Sequence, residues 1–262
     1  MKVFKFGGAS VKDAAGVKNL SSIVHQQHGQ LIVVVSAMGK TTNLLETLCN
    51  AYFHRDSKVP AIMKELKDFH LNIVTSLFPL NAPVYKHLEE LFINLENILA
   101  SESSLCYDYE YDRIICFGEL ISTTIISDYM EMEGIENQFI DIRKFLKTDQ
   151  NYRNANIDLE LSEQLCKEAF DFKASSTFVT QGFIAGTRTN QTTTLGREGS
   201  DYTAALLANL LNAENVTIWK DVPGVMNADP KEYEKAQVIS RMSTKRPSSC
   251  PISGQKSFIR KP

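Results

Sequence analysis

The sequence lacks the features that mark several classes of protein. No apolar run approaches the ~18 residues of a membrane-spanning helix. The N-terminal residues are typical of a strand rather than of a signal peptide. The five cysteines are scattered without CxxC spacing, and the five histidines show no HExxH pattern. We therefore expect no membrane partner, no protein metal site and reduced thiols in a cytoplasmic protein.

The sequence also lacks an excess of charge of one sign. It contains 28 Lys and Arg residues and 31 Asp and Glu residues, which gives a formal net charge of -3. No bulk attraction to nucleic acid is therefore expected. Hydrophobic residues make up 43% and charged residues 23% of the 262 residues, which is typical of a globular chain with one large α/β domain or two small ones.

Short apolar runs alternate with longer helical patterns along the chain. The runs predict strands over Lys2–Phe6, Leu31–Ser36, Gln138–Ile142, Thr177–Thr180 and Val216–Trp219. The helical patterns cover Ala14–His28, Asn43–Phe53, Pro60–Leu77, Val84–Ala100, Asp112–Glu133, Leu159–Phe170 and Asp201–Leu211. This alternation predicts an α/β fold, a layered α/β/α sandwich around a mainly parallel central sheet.

Three segments depart from this alternation. Residues 43–133 carry helical patterns with almost no strand signal, which predicts a helical insertion on the sheet domain. Residues 149–158 are polar and predict a loop. Residues 241–262 contain Lys and Arg but no Asp or Glu, together with prolines and serines, and predict a divergent basic tail after a domain of residues 1–240.

Glycine-rich turns follow several of the predicted strands. Lys5-Phe6-Gly7-Gly8-Ala9-Ser10 leads from the first strand into a helix, and backbone N–H groups in such a turn can bind phosphate. The turn matches neither the P-loop nor the GxGxxG pattern, so a plain tight turn is the alternative. Thr42 follows the second strand, where helix capping explains its hydroxyl as well as ligand binding does.

Charged residues stand beside the later turns and inside one helix. Arg197 precedes Ser200 and Asp201 at a helix start, where it could bind a carboxylate or phosphate, or be plain surface charge. Asp221 follows the last strand and could face a nucleotide or form a turn. Glu119 lies within a long apolar helix, where it could face solvent or be a buried carboxylate that needs a cationic partner, either an internal Lys or Arg or a bound amine.

Together these segments resemble the catalytic domain of aspartokinase in the amino-acid kinase superfamily. The matching segments, in the order of that family, are KFGGAS, VVVSAMGKTTNLL, FGELIST, GFIAGT, TTTLGREGSDYTAALLA and IWKDVPGVMNADP. They cover residues 1 to about 240. The resemblance implies the amino-acid kinase fold and ATP- and Mg²⁺-dependent phosphorylation of the side-chain carboxylate of L-aspartate to 4-phospho-L-aspartate, the first step of lysine, threonine and methionine synthesis.

The resemblance also implies roles for individual residues. It places Lys5, Gly7, Gly8 and Ser10 in the phosphate site, with Lys5 and Asp201 as the catalytic pair. It assigns the substrate to Thr42, Glu119, Arg197 and Ser200, with Glu119 on the amino group and Arg197 on the α-carboxylate. It assigns the nucleotide to Lys220, Asp221, Met226 and Lys231.

The chain departs from the family pattern in two places. Met226 and Lys231 stand where the family has tyrosine and arginine, which weakens the prediction for the adenine side. The likeness to the family motifs ends near Ser240, and no ACT regulatory domain follows in this sequence. We therefore expect impaired kinase activity and no feedback inhibition by lysine or threonine.

Other functions are compatible with parts of the pattern. Another superfamily member could act on glutamate, carbamate or a nucleotide. A truncated fragment could serve only as a binding or dimer partner, and a homodimer is expected in either case. A dinucleotide-binding oxidoreductase is disfavoured because no GxGxxG follows the first strand.

Overall fold

Strands and helices alternate along the part of the chain that the computed structural model describes, residues 1–220, 224, 226–228, 232–233 and 235–239. Its strands are β1 (Lys2–Phe6), β2 (Leu31–Val35), β3 (Gln138–Ile140), β4 (Lys147–Thr148), β5 (Thr177–Gln181), β6 (Ile184–Thr187), β7 (Thr192–Thr194) and β8 (Asn215–Trp219). Its α-helices are α1 (Ala14–His25), α2 (Thr41–Phe53), α3 (Val59–Leu77), α4 (Val84–Ala100), α5 (Tyr107–Met132), α6 (Leu159–Ala169) and α7 (Gly199–Leu210). Short 3₁₀ helices span Gly8–Val11 and Ile142–Lys144.

The central sheet has five strands in the order β3-β5-β2-β1-β8, and all of its neighbouring strands are parallel. All five residues of β2 are buried, as its uninterrupted branched apolar sequence predicts for a strand covered on both faces. The predicted α/β/α sandwich with a mainly parallel sheet is confirmed. The five predicted strands occur within one or two residues of their expected bounds.

The direction in which the chain crosses the sheet places the helices in two layers. The connections from β1 to β2 and from β2 to β3 run one way along the sheet, whereas those from β3 to β5 and from β5 to β8 run the opposite way. Because such crossovers are right-handed, α1 and α5 cover one face, and α6 and α7 cover the other. The chain therefore leaves the neighbouring strands β2 and β5 towards opposite faces, which opens a crevice at their carboxyl ends.

Local sequence signals set the starts of several helices. The Asp13 carboxylate caps α1 by accepting from the Gly16 N–H at 2.8 Å, and Asp158 caps α6 by accepting from the Leu161 N–H at 3.2 Å. Pro60 lies in the first turn of α3, where its missing N–H costs no hydrogen bond. Such signals act within a few residues, so they could be found in the sequence.

A second, three-stranded sheet was missed by the sequence patterns. Its order is β4-β6-β7, with β4 parallel to β6 and β6 antiparallel to β7. The segments of β6 and β7, IAGT and TTT, carry little apolar signal and are absent from the predicted strands. Their β-branched threonines, of which Thr187, Thr193 and Thr194 are buried, were the signal that could have indicated strands.

Helices α2, α3, α4 and α5 follow one another between β2 and β3. Helix α5 packs on β2, β3 and β5, and α2 and α4 pack on α5. None of the helices in the described ranges is long and apolar enough to cross a membrane.

The chain divides into two compact units, Met1–Trp219 and Lys220–Pro262. In the second unit, Met226 pairs with Val238 in an antiparallel bridge. Beside this bridge, the Gln237 N–H donates to Asn227 Oδ1 at 2.8 Å. The predicted basic tail, residues 241–262, lies outside the described residues.

Candidate active site

The turns after β1, β2 and β5 meet at the carboxyl edge of the central sheet. The Ser36 N–H donates to the Phe6 carbonyl at 3.1 Å, and the Gly182 N–H donates to the Val35 carbonyl at 2.9 Å. The candidate segments near Gly7, Ser36 and Gly182 are therefore neighbours in space. They lie at the crevice between strands whose connections leave to opposite faces, where α/β sheets bind ligands.

A buried ion pair joins the first strand to the start of α7. Lys5 Nζ lies 2.6 Å from Asp201 Oδ1, and Lys5 is 6% exposed. Lys5 belongs to β1, whose neighbours on both sides keep it in place, and Asp201 lies in the first turn of α7. The pair brings the Gly7-Gly8 turn and the Arg197–Asp201 turn to the same side of the molecule.

The Gly7-Gly8 turn packs closely against the turn after β2. A Cβ atom at Gly8 would lie 2.5 Å from the Ala37 carbonyl oxygen, so a side chain there would collide with backbone. The Gly39 N–H donates to the Gly8 carbonyl at 3.0 Å and ties the two turns together. The Ser10 hydroxyl donates to the Trp219 carbonyl at 3.3 Å, which connects this turn to β8.

Glu119 is buried in α5 and points one carboxylate oxygen at the turn after β2. Oε1 accepts from the Ala37 N–H at 3.2 Å, whereas Oε2 has no hydrogen-bond partner among the described residues. Burial raises the pKa of Glu119 to about 8, although the Ala37 N–H and the charge of Lys5 both lower it. A buried acceptor without a partner is costly, so this oxygen is suited to a cationic or hydrogen-bond-donating ligand.

The start of α2 is held by a histidine from α3 that the sequence patterns did not single out. The Thr41 hydroxyl lies 3.4 Å from His70 Nε2, and His70 Nδ1 lies 2.8 Å from the Leu66 carbonyl. Burial lowers the pKa of His70 to about 4, against the effect of the Leu66 carbonyl. His70 is therefore neutral at pH 7. Thr42, the predicted substrate residue, is the next residue of this first turn and is half-buried.

The turn before α7 brings Ser200 against the β5 end of the crevice. A Cβ atom at Gly182 would lie 2.5 Å from Ser200 Cβ, so only glycine permits this approach. Glu198, immediately before the helix, has a positive φ of 57°, which is uncommon for a residue with a side chain. Arg197 is exposed and has no ion pair within the described part of the chain. It could turn towards an anionic ligand.

The four residues predicted to contact the nucleotide all follow β8 in the chain. Lys220 and Met226 belong to the second unit, and Asp221 and Lys231 lie outside the described residues. Their roles stay predictions.

Asp112 is a buried carboxylate that the sequence patterns missed. We expected it to begin a helix, but α5 begins at Tyr107 and contains Asp112 one turn inside. Its Oδ2 accepts from the N–H groups of Arg153 and Thr194, both at 2.9 Å. Burial raises the pKa of Asp112 to about 6, and these donors limit the rise. A charged residue on an apolar helix face was the signal that could have found it.

Comparisons with known proteins identify the family of the chain. A family model described as "Amino acid kinase family" matches residues 1–259. The chain belongs to the amino acid kinase family. The amino acid kinase fold predicted from the motifs is confirmed by this membership and by the parallel sheet.

Aspartokinases are among the relatives. The chain is 33% identical over 245 residues to lysine-sensitive aspartokinase 3 of Escherichia coli, covering 92% of this chain and 53% of that protein. It is 28% identical over 257 residues to the aspartokinase of Chlamydia muridarum, covering 97% of this chain and 55% of that protein. The crystal structure of E. coli aspartokinase III with aspartate and ADP superposes with a TM-score of 0.81 at 30% identity, covering 91% of this chain and 53% of that chain. The chain thus spans about half the length of these relatives.

Proposed function

We propose that the chain transfers the γ-phosphoryl group of ATP to the side-chain carboxylate of L-aspartate and so makes 4-phospho-L-aspartate. The aspartokinase relatives support this substrate, and one of their structures holds aspartate and ADP. One observation carries the proposal: Glu119, whose Oε2 has no hydrogen-bond partner among the described residues, is close enough to Lys5 for that charge to lower its pKa, and Lys5 is paired with Asp201. A site for a small ammonium-bearing molecule thus adjoins a site for phosphate.

On the phosphate side, Lys5 supplies positive charge and the Gly7-Gly8 turn supplies close backbone approach. A side-chain carboxylate has a reference pKa near ~3.9 and is ionised at pH 7, so the nucleophile needs no general base. Its oxygen forms a bond to the γ-phosphorus while the bond to the bridging oxygen breaks, and ADP leaves with that electron pair. Because two anions must be held together, charge neutralisation and alignment supply the catalysis. Asp201 orients Lys5, and Ser10 is a further residue of the proposed phosphate site.

On the amino-acid side, Glu119 binds the ammonium group and Arg197 binds the α-carboxylate. A guanidinium suits a carboxylate because it can donate two parallel hydrogen bonds. Thr42 and Ser200 add hydroxyl groups at the starts of α2 and α7. These contacts leave the side-chain carboxylate of aspartate free to face the phosphate.

Mg²⁺ fits this site as a companion of the nucleotide. Kinases usually hold Mg²⁺ by one or two carboxylates together with phosphate oxygens and water. Asp201, at the phosphate edge, is such a carboxylate, and no group of three His, Cys, Asp or Glu side chains that could hold a metal occurs within the described residues. When bound, Mg²⁺ would neutralise phosphate charge. We further propose that Lys220, Asp221, Met226 and Lys231 contact the nucleotide.

We propose that residues 1–240 form the catalytic domain, with the helices of residues 43–133 as an insertion and 241–262 as a divergent tail. We also propose a homodimer, activity lowered by the tail, and a cytoplasmic location, the last supported by the free thiols of the described cysteines.

The test is a substrate comparison with the purified chain. We expect aspartate-dependent release of ADP from MgATP, and trapping with hydroxylamine should yield aspartyl hydroxamate. Glutamate, carbamate and a nucleoside monophosphate serve as competing acceptors, and Glu119→Gln serves as the variant that should lose aspartate dependence. Phosphorylation of one of the other acceptors, with none of aspartate, would contradict the proposal.

A further inference from the structure

Asp112 bonds to two segments that are far apart in sequence. Its Oδ2 accepts from the Arg153 N–H and the Thr194 N–H, both at 2.9 Å, and its Oδ1 accepts from the Thr194 hydroxyl at 2.7 Å. Asp112 is completely buried. Hydrogen-bonded donors from the loop at 153 and from β7 thus surround one carboxylate on α5.

The same carboxylate is connected to both halves of the proposed amino-acid site, to one through α5 and to the other through Thr194. Glu119 lies two helical turns further along α5, and a helix transmits position rigidly over about 10 Å. Arg197 follows Thr194 by three residues. Any shift of Asp112 relative to β7 would therefore change the separation of Glu119 from Arg197.

The segment beyond Thr194 is supported by the loop that Asp112 also binds. The Ala155 N–H donates to the Thr194 carbonyl at 3.0 Å. A Cβ atom at Gly196 would lie 2.8 Å from Asn154 Oδ1, so the loop packs directly against the residue before Arg197. Asp112 binds a residue on each side of this contact, Arg153 in the loop and Thr194 in β7, and so ties the turn to α5.

We propose that Asp112 is a positioning residue that sets the distance between the ammonium site at Glu119 and the carboxylate site at Arg197. The inference rests on the proposed function, because it assumes an α-amino acid bound between those two side chains. Asp112 touches neither reactant. It determines how well the two ends of the amino-acid headgroup are bound at the same time, and it leaves the nucleotide side unaffected.

The first experiment measures aspartate and nucleotide binding by calorimetry in the full chain. We expect Asp112→Ala to weaken aspartate binding about tenfold or more, while the Kd of a nonhydrolysable MgATP analogue changes less than about twofold. Asp112→Asn should restore most of the affinity. Its carbonyl oxygen can accept both N–H groups, and its amide can donate to the Thr194 hydroxyl.

Asn137→Ala is the matched control. Asn137 ties the far end of α5 by donating to the Ser127 and Ile135 carbonyls, both at 3.2 Å, and by accepting from the Ser127 hydroxyl at 2.7 Å. Its removal should lower the Tm without changing either Kd. An Asp112→Ala variant that loses aspartate and nucleotide affinity equally, or loses neither, would overturn the positioning role.

A double-mutant cycle tests whether Asp112 acts through Arg197. If it does, Asp112→Ala should have little further effect on aspartate affinity in an Arg197→Ala background. Multiplicative effects of the two substitutions would overturn the inference. The proposed function fails in a different way: wild-type protein would neither bind nor phosphorylate aspartate, and the inference would fall with it. If the wild type binds aspartate and Asp112→Ala binds it with the same affinity, only the inference is overturned.

Discussion

Lys5 Nζ lies 2.6 Å from Asp201 Oδ1, so the first strand and the last described helix meet at the carboxyl edge of the sheet. The lysine is almost fully buried, whereas the side chain of the aspartate is 21% exposed. A buried charge needs such a partner. The pair holds a cation beside a glycine turn without leaving that cation uncompensated before an anion binds.

Lys5→Met should abolish most of the phosphoryl transfer. The substitution keeps the length and apolar stem of the side chain but removes the charge that faces the transferred group. We expect kcat to fall by about a hundredfold or more, measured as aspartate-dependent ADP release. Lys64→Met is the control, because Lys64 is an exposed lysine paired with Asp68 on α3. Turnover by Lys5→Met equal to that of the control would contradict the assigned role.

Gly8→Ala should disrupt the phosphate turn. Its new Cβ would meet the Ala37 carbonyl oxygen at 2.5 Å, so the turns after β1 and β2 must separate. We expect nucleotide binding, measured by calorimetry, to weaken by at least about tenfold. In the control, Gly29→Ala, the Cβ meets nothing within 4 Å, although the φ of +89° strains any side chain. The control should lose about 1 kcal/mol of stability and keep its nucleotide affinity.

Binding of aspartate should release a proton. The pKa of Glu119 is raised to about 8 by burial, so its carboxyl is mainly protonated at pH 7 before aspartate binds. An ammonium group favours the ionised carboxylate and lowers that pKa. Aspartate affinity should therefore increase by up to about tenfold per pH unit between 6 and 8 and level off above. Calorimetry in buffers of different ionisation enthalpy measures the proton directly. Release that persists in Glu119→Gln would assign the proton to another group.

The same carboxyl should affect stability in the absence of ligand. Because the folded pKa of Glu119 lies above its value in the unfolded chain, the folded state holds the extra proton between about pH 4.5 and 8. Its contribution to stability is complete below that window and is lost as the pH rises through it. Glu119→Gln should thus flatten the fall of the unfolding free energy from pH 6 to 8, measured in urea. If the unfolding free energies of the wild type and Glu119→Gln run parallel from pH 6 to 8, this titration of Glu119 is ruled out.

The effect of His70 on folding stability should have the opposite pH dependence. Its folded pKa of about 4 lies below that of a free histidine, so the unfolded chain binds more protons between about pH 4 and 6.5. The wild-type protein should therefore lose stability relative to His70→Gln as the pH falls through that window. In the control, His25→Gln, an exposed histidine on α1 is replaced, and its curve should follow the wild type. Identical curves for all three proteins would show that His70 is not held neutral.

The strongest local patterns were the best guides to the fold. The branched run of β2 and the apolar spacing of α4 predicted both elements well, since each pattern is complete within its own segment. The hairpin of β6 and β7 escaped because threonine and glycine carry little apolar signal, and its burial comes from α5 and β4. The start of α5 was misplaced at Asp112 because a capping residue and a buried hydrogen-bonded carboxylate look alike in sequence.

Residue order alone indicated which side chains could do chemistry: a lysine before two glycines, a carboxylate in an apolar helix, and an arginine before a helix start. Residue type and short-range spacing suffice for that. Three relationships follow from the folded chain alone: Lys5 pairs with Asp201, Glu119 Oε2 has no hydrogen-bond partner in the part of the chain that the structure describes, and Asp112 connects α5 to β7. Those relationships depend on strand order and on the packing of α5, which join residues that are far apart along the chain.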